Sequence, residues 1–196
     1  MSKNTINISL VGVGGQGTIL ASEIICMASL LAGKDVKKNE VHGMAQRGGS
    51  VISQVRIADK VYSPLVPEGK TDILIAFEKL EALRYSHLLT DTGVCYVNEQ
   101  EIRPVTVSSG QQEWPESIDE KIHEVIENVK FIPALSIAKE IGNVKVLNVI
   151  MIGALSLNTF ISEDIWIEAI KNLVKPKFVD INIEAFKKGR SQGHQY

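Results

Sequence analysis

The chain has almost no cysteine: two among its 196 residues, Cys26 and Cys95, far apart and each set in apolar surroundings. No CxxC, no HxxxH and no Cys/His cluster occurs, so neither a metal nor an iron–sulfur site is expected from this chain alone. Both thiols read as reduced core residues of a cytoplasmic protein. A GxSxG elbow, a P-loop lysine and a histidine close in sequence to either cysteine are missing too, which removes the usual nucleophilic and phosphoryl-transfer sites. Charge of one sign is lacking. With 21 Lys and Arg against 23 Asp and Glu the net charge is −2, which offers no electrostatic hold on nucleic acid or an anionic membrane. Long apolar runs are also wanting. Val146 to Ser162 carries no charge but is interrupted by Asn148, Gly153, Ser156, Asn158 and Thr159, and a membrane span needs about 20 mostly apolar residues. It reads as a buried helix, and the polar start Met1-Ser2-Lys3-Asn4-Thr5 does not read as a secretion signal.

What the chain does have is glycine in two places. Gly12-Val13-Gly14-Gly15-Gln16-Gly17 follows the apolar run Ile6, Ile8, Leu10, Val11 and precedes a second apolar run, so it sits where a strand hands over to a helix. A helix N-terminus carries about half a positive charge, and its free N–H groups suit an anion or a carbonyl oxygen. The second place is His42-Gly43-Met44-Ala45-Gln46-Arg47-Gly48-Gly49-Ser50, which sets a titratable ring, an amide, a fixed cation and a hydroxyl on one loop. An arginine flanked by glycines is poorly shielded and suited to a carboxylate or phosphate. The alternative is that this loop closes a subunit contact and Arg47 makes an ordinary ion pair.

Along the chain, Thr18 to Ala32 reads as a helix closed by Gly33, so apolar all round that it needs cover on two sides, a sheet and a second subunit. Val36 to Val41 is a short strand. Ser50 to Ala58 alternates and returns through Lys60 to Ser63 as an antiparallel hairpin. Pro64 to Gly69 is a proline-fixed excursion. Ile73 to Phe77 and Val94 to Val97 are strands buried on both faces, Leu80 to Leu89 a helix, and Ile102 to Ser109 an edge strand. Ile118 to Asn128 is an amphipathic helix and Lys130 to Ala134 a late strand. Helices follow from Leu135 to Ile141, Val144 to Leu157, Glu163 to Val174 and Phe178 to Lys188. The expected fold is a single α/β domain over residues 1–196: three-layer and Rossmann-like, a mostly parallel sheet with an inserted antiparallel hairpin and a helical C-terminal part.

Gly12-x-Gly14-x-x-Gly17 has the form of a dinucleotide fingerprint, and Glu40 stands near the spacing of its ribose-binding acid. The loop that follows Glu40 spoils that reading. Glu78 and Glu81 lie past a buried strand, where α/β sites are often found, yet a solvated helix start accounts for them equally well. His87, His123 and His194 are isolated. The chain thus carries a binding face and no evident catalytic residue.

These residues in order, together with Tyr62-Ser63-Pro64-Leu65-Val66-Pro67, Phe77 to Arg84, and Asn148 with Gly153-Ala154, resemble the gamma subunits and domains of the 2-oxoacid:ferredoxin oxidoreductases. Within that group the His42-to-Gly49 loop is most similar to the smaller (beta) subunits of the indolepyruvate enzymes, and the likeness runs from about Ile6 to Gly189. The resemblance implies oxidative decarboxylation of an aryl 2-oxoacid with coenzyme A to an acyl-CoA and carbon dioxide, electrons passing to ferredoxin, in amino-acid catabolism. It also implies a large (alpha) partner subunit holding thiamine diphosphate, magnesium and the iron–sulfur clusters, with no cofactor bound by this chain alone. The gamma fold is not thought to bind NAD. Gly12, Gly14, Gly15, Gln16 and Gly17, and His42, Gly43, Met44, Gln46, Arg47, Gly48, Gly49 and Ser50, are then the loops facing ligand or partner. The apolar first helix and the Val146-to-Leu157 helix would pack on the large subunit, and the isolated chain would form a homodimer. Alternatives are the gamma subunit of a pyruvate, 2-oxoisovalerate or 2-oxoglutarate enzyme, a stand-alone nucleotide-binding regulatory module, and a hydrolase or transferase using Glu78 or His42 as base, for which no nucleophile is found.

Overall fold

Alternation sets the architecture. In the run Ile73-Leu74-Ile75-Ala76 successive side chains point to opposite faces of a strand, and all are apolar, so both faces must be covered. The computed structural model, which describes residues 5–42, 49–103, 107, 109–111 and 113–194 (His42 by its backbone only), meets that demand. The strands are β1 (Thr5–Val13), β2 (Asp35–His42), β3 (Ser50–Ala58), β4 (Thr71–Ala76), β5 (Leu89–Asn98) and β6 (Val129–Ile132). They form one sheet in the order β2-β3-β1-β4-β5-β6. The pairs β1/β4, β4/β5 and β5/β6 are parallel, while β3 runs against both its neighbours.

One face of the sheet presents Ile8, Leu10, Val55, Ile57, Ile73 and Ile75 to a thick helical layer. That layer is α1 (Thr18–Leu31), α4 (Ala134–Ile141), α5 (Leu147–Leu155), α6 (Glu163–Leu173) and α7 (Val179–Gly193). The other face presents Val11, Leu74, Ala76, Cys95 and Val97 to the shorter helices α2 (Lys79–Arg84) and α3 (Ile118–Val125). Each fully buried Leu or Ile is worth roughly 1.5–3 kcal/mol relative to exposure, so these two apolar layers hold the sheet in place.

Helix α5 is the centre of the thick layer, and every residue from Leu147 to Leu155 is buried. It lies against α7 with almost no space between the backbones. A Cβ added at Gly153 would clash with the carbonyl oxygen of Phe186 and stand 2.9 Å from the Arg190 nitrogen; one at Gly189 would clash with the carbonyl oxygen of Ile150. Trp166 and Phe186, both fully buried, close the layer beneath. No helix among the described residues is long and apolar enough to cross a membrane.

Several expectations need correction. The hairpin partner of β3 is β2, in register from Asp35↔Ala58 to His42↔Val51, and not the segment 60–63. The segment 61–66 instead lies under β3, where the Arg56 guanidinium donates to the carbonyls of Ser63 and Leu65 and the Gln54 amide bonds both backbone groups of Val66. Alternation alone could not tell these partners apart. Of the expected edge strand Ile102 to Ser109, the described residues form none, and positions 104–106 and 108 lie outside them. The second cover of α1 is this chain's own α6, which leaves Ile19, Leu30 and Leu31 exposed. The Val146-to-Leu157 segment has no free face for a large subunit, because its own chain encloses it.

Candidate functional site

The carboxyl ends of β1, β4 and β5 meet at one edge of the sheet, the position where open α/β sheets bind ligands. The turn from β1 to α1 occupies its middle. Gly17 caps α1 with φ +82°, a conformation a side chain resists, and a Cβ there would stand 2.9 Å from Nδ2 of Asn148 at the start of α5. Asn148, itself buried, donates that amide to the Gly17 carbonyl at 3.2 Å and accepts from the Val149 nitrogen. The turn and α5 are thus pinned together across 131 positions of sequence.

The N–H groups of this turn are not all free, contrary to expectation. Val13 donates to Oε1 of Gln16 at 2.8 Å, Gly14 to the carbonyl of Gly49 at 3.0 Å, and Gln16 to the carbonyl of Val13. The Gln16 amide is turned inward: its Nε2 donates to the Phe77 carbonyl at 2.9 Å. Asn98 donates to that same carbonyl and to Oε1 of Gln100, which leaves its own buried Oδ1 without a partner among the described residues. Gln16 therefore braces the turn from within.

An open groove of about 460 Å³ runs from Gly15 and Gly17 past Leu20 and Gln100 to Lys145 and Asn148. The N-terminal ends of α1, α4 and α5 all border it, and among the described residues Lys145 is the charged side chain on its wall. Helix starts and a cation together favour a negatively charged guest.

On the other side of β1, the second glycine loop returns to the sheet at Gly49 and Ser50. His42 ends β2, but its side chain and Gly43, Met44, Gln46, Arg47 and Gly48 lie outside the described residues. Ser50 is opposite Val13 in the sheet, and its hydroxyl donates to Oε2 of Glu81 and lies 3.0 Å from the Tyr85 hydroxyl. Glu81 also holds the Arg84 Nε at 3.1 Å.

Glu78 and Glu81 do not form the solvated helix start that the sequence suggests: they are 1% and 3% exposed. Glu78 caps α2, its carboxylate accepting from the nitrogens of Leu80 and Glu81. Burial pushes its pKa from 4.5 up to about 7, with the Glu81 charge adding and Arg84 and the backbone donors opposing. Burial raises that of Glu81 as well, opposed by Ser50 and Arg84. The only available signal was their place just beyond an all-apolar strand. A raised carboxyl pKa means that the folded state holds a proton the unfolded chain has already released, so stability falls as pH rises from about 4.5 to about 7. We expect thermal or urea unfolding to give a more stable protein near pH 5.5 than near pH 7.5, by on the order of 1 kcal/mol or more, and Glu78→Gln to flatten that slope.

The sheet order disposes of the dinucleotide reading. In a nucleotide-binding Rossmann unit the second strand lies beside the first, and its terminal acid reaches the ribose. Here β3 intervenes, and Glu40 is engaged by Lys38 at 2.9 Å and by the Ser22 hydroxyl at 3.1 Å. The two thiols fit no cluster: Cys26 packs in the thick layer and Cys95 on the opposite face of the sheet, and burial lifts both pKa values, that of Cys26 to about 11. Among the described residues no group of three or more His, Cys, Asp and Glu is placed to hold a metal ion.

Residues 7–192 match the family model of pyruvate ferredoxin/flavodoxin oxidoreductase. The chain belongs to that family. Among members of the pyruvate ferredoxin/flavodoxin oxidoreductase family it is 44% identical over 189 residues to the indolepyruvate oxidoreductase subunit IorB of Thermococcus kodakarensis, covering 93% of each chain. The corresponding subunit of Archaeoglobus fulgidus is 43% identical, with 95% and 94% covered. In structure the chain is similar to the gamma subunit of a keto/oxoacid ferredoxin oxidoreductase from Geobacter sulfurreducens, with TM-score 0.73, 25% identity, and 97% and 99% of the chains covered. The relatives are subunits of an oxidoreductase complex. At this edge the glycine turn and Ser50, where the chain re-enters the sheet, are held by side chains of this chain: Gln16, Asn148 and Glu81.

Proposed function

We propose that this chain is the smaller subunit of an indolepyruvate:ferredoxin oxidoreductase, which converts an aryl 2-oxoacid and coenzyme A to an acyl-CoA and carbon dioxide and reduces ferredoxin. The observation that carries this reading is identity of 44% with an indolepyruvate oxidoreductase subunit across 93% of both chains. The large subunit holds thiamine diphosphate, magnesium and the iron–sulfur clusters, and the decarboxylation takes place there. This chain supplies a wall. Gly15, Gly17, the three helix starts and Lys145 offer donors and positive charge to the phosphates of coenzyme A, and Arg47 offers a further cation from the second loop. The exposed residues of α1, Ile19, Leu30 and Leu31, offer apolar surface to the partner. The unpaired thiols of this chain, Cys26 and Cys95, suit a complex that works in the cytoplasm.

The test is reconstitution. Co-expressed with the large subunit of an aryl 2-oxoacid oxidoreductase and purified without oxygen, the two chains are expected to co-elute and to reduce ferredoxin with indolepyruvate and coenzyme A. Co-elution with activity on pyruvate or 2-oxoglutarate, and none on indolepyruvate, would refute the substrate assignment.

A further inference from the structure

The proposed role gives Gln100 no part, yet this half-buried residue lines the groove together with Gly15, Gln16 and Lys145. Backbone groups behind it settle which end of its amide faces outward. The Val13 N–H can only donate, so Gln16 turns Oε1 to it at 2.8 Å and its Nε2 to the Phe77 carbonyl at 2.9 Å. That carbonyl can only accept, so Asn98, fully buried at the end of β5, turns its Nδ2 there as well, at 3.0 Å. The second hydrogen of the same Nδ2 is directed to Gln100 at 3.1 Å, and the Gln16 Nε2 lies 3.5 Å from the same atom. Two nitrogens therefore face Gln100 from the interior, and its Oε1 is the end that can meet them. The backbone of Gln100 is fastened too: its N–H donates to the Asn98 carbonyl at 2.7 Å and its carbonyl accepts from Lys79 at 2.9 Å. What remains is Nε2, which no other described residue takes as a donor. An amide held by its oxygen on a groove wall offers its two N–H bonds to the occupant of the groove.

We propose that Gln100 is a binding residue of the groove, donating from Nε2 to a phosphate oxygen of coenzyme A. Lys145 supplies charge from a flexible stem, whereas the amide supplies a donor whose direction is set before the ligand arrives. The inference rests on the reading that the groove takes those phosphates.

The experiment uses the reconstituted two-subunit complex. It measures the Kd of coenzyme A by titration calorimetry without oxoacid, beside the KM values for coenzyme A and the oxoacid. Gln100→Glu keeps an oxygen toward Asn98 and Gln16, so the inner network stays whole, but it replaces the outward donor by a negatively charged oxygen. We expect it to raise the Kd and KM for coenzyme A roughly thirtyfold or more and to leave the KM for the oxoacid within about twofold. Gln100→Met keeps the length and removes the donor, and about tenfold is expected. A merely structural amide would give the opposite pattern. Gln100→Glu would then bind coenzyme A like the wild type, and Gln100→Met would lower the melting temperature of the complex without changing the Kd. An unchanged Kd in Gln100→Glu, or a rise confined to the KM for the oxoacid, overturns the proposal. If Gln100→Glu does not assemble, the Kd of Gln100→Met decides. Lys145→Ala separates this from the groove reading. If it raises the Kd while the Gln100 variants do not, only the role of Gln100 falls. If none of the three changes the Kd, the groove is not where coenzyme A binds and that reading fails with it.

Discussion

Gly189→Ala is expected to lower stability by roughly 3 kcal/mol or more, a fall of about 10 °C in melting temperature for a chain of this size. The added methyl would clash with the carbonyl oxygen of Ile150 and stand 2.8 Å from its carbonyl carbon, and these are backbone atoms of a helix with no rotamer to change. Relief requires α7 to move away from α5, which opens the packing around Trp166 and Phe186. Gly153→Ala, on the facing side of the same crossing, should behave alike, and the double variant should cost less than the sum because one separation relieves both clashes. Gly142→Ala is the control: its φ is +88° but nothing lies within 4 Å of the added methyl, so only backbone strain of about 1 kcal/mol is expected. Calorimetry of the purified variants checks the order.

Gly17→Val has the second large expected effect, and it falls on function. A β-branched residue at φ +82° is strained, and its Cβ would meet the Asn148 amide, which is buried and already bonded to the Gly17 carbonyl and the Val149 nitrogen. The turn must then shift with respect to α5, and both line the groove. We expect kcat/KM of the complex to drop roughly a hundredfold. Gly33→Ala, also at positive φ but at the far end of α1 with open space around it, should cost some stability and leave kcat/KM unchanged. Steady-state assays of both complexes distinguish damage to the site from general destabilisation.

Much of the fold was legible because its signals are local. The all-apolar stretches around Ile75 and Tyr96 could only be strands covered on both faces, and helices end where Gly33 and Gly142 stand. The partner of β3 was not legible. Ser50 to Ala58 can pair with any strand of matching alternation, and only the packed structure chooses β2 and β1 over the neighbouring segment 60–63. The enclosure of α5 was hidden for a similar reason: an apolar helix looks the same in sequence whether its own chain or another covers it. At the candidate site the glycine turn announced itself by spacing, but Gln16 reads identically as a ligand contact or an internal brace. Its bond to the Phe77 carbonyl depends on a residue just past β4, 61 positions away. For Glu78 and Glu81 the sequence left a site and a solvated helix start equally open, because their burial comes from the packing of α2 on β1, β4 and β5, which no local signal carries.

The division of labour between this chain and its large partner can be measured directly. Purified by itself and incubated with indolepyruvate, coenzyme A and an artificial electron acceptor, the chain should release no carbon dioxide above the uncatalysed background, and addition of the cofactor-loaded large subunit should restore acceptor reduction. Turnover of the oxoacid by this chain alone would contradict the reading that it supplies a binding wall and none of the groups that break the carbon–carbon bond.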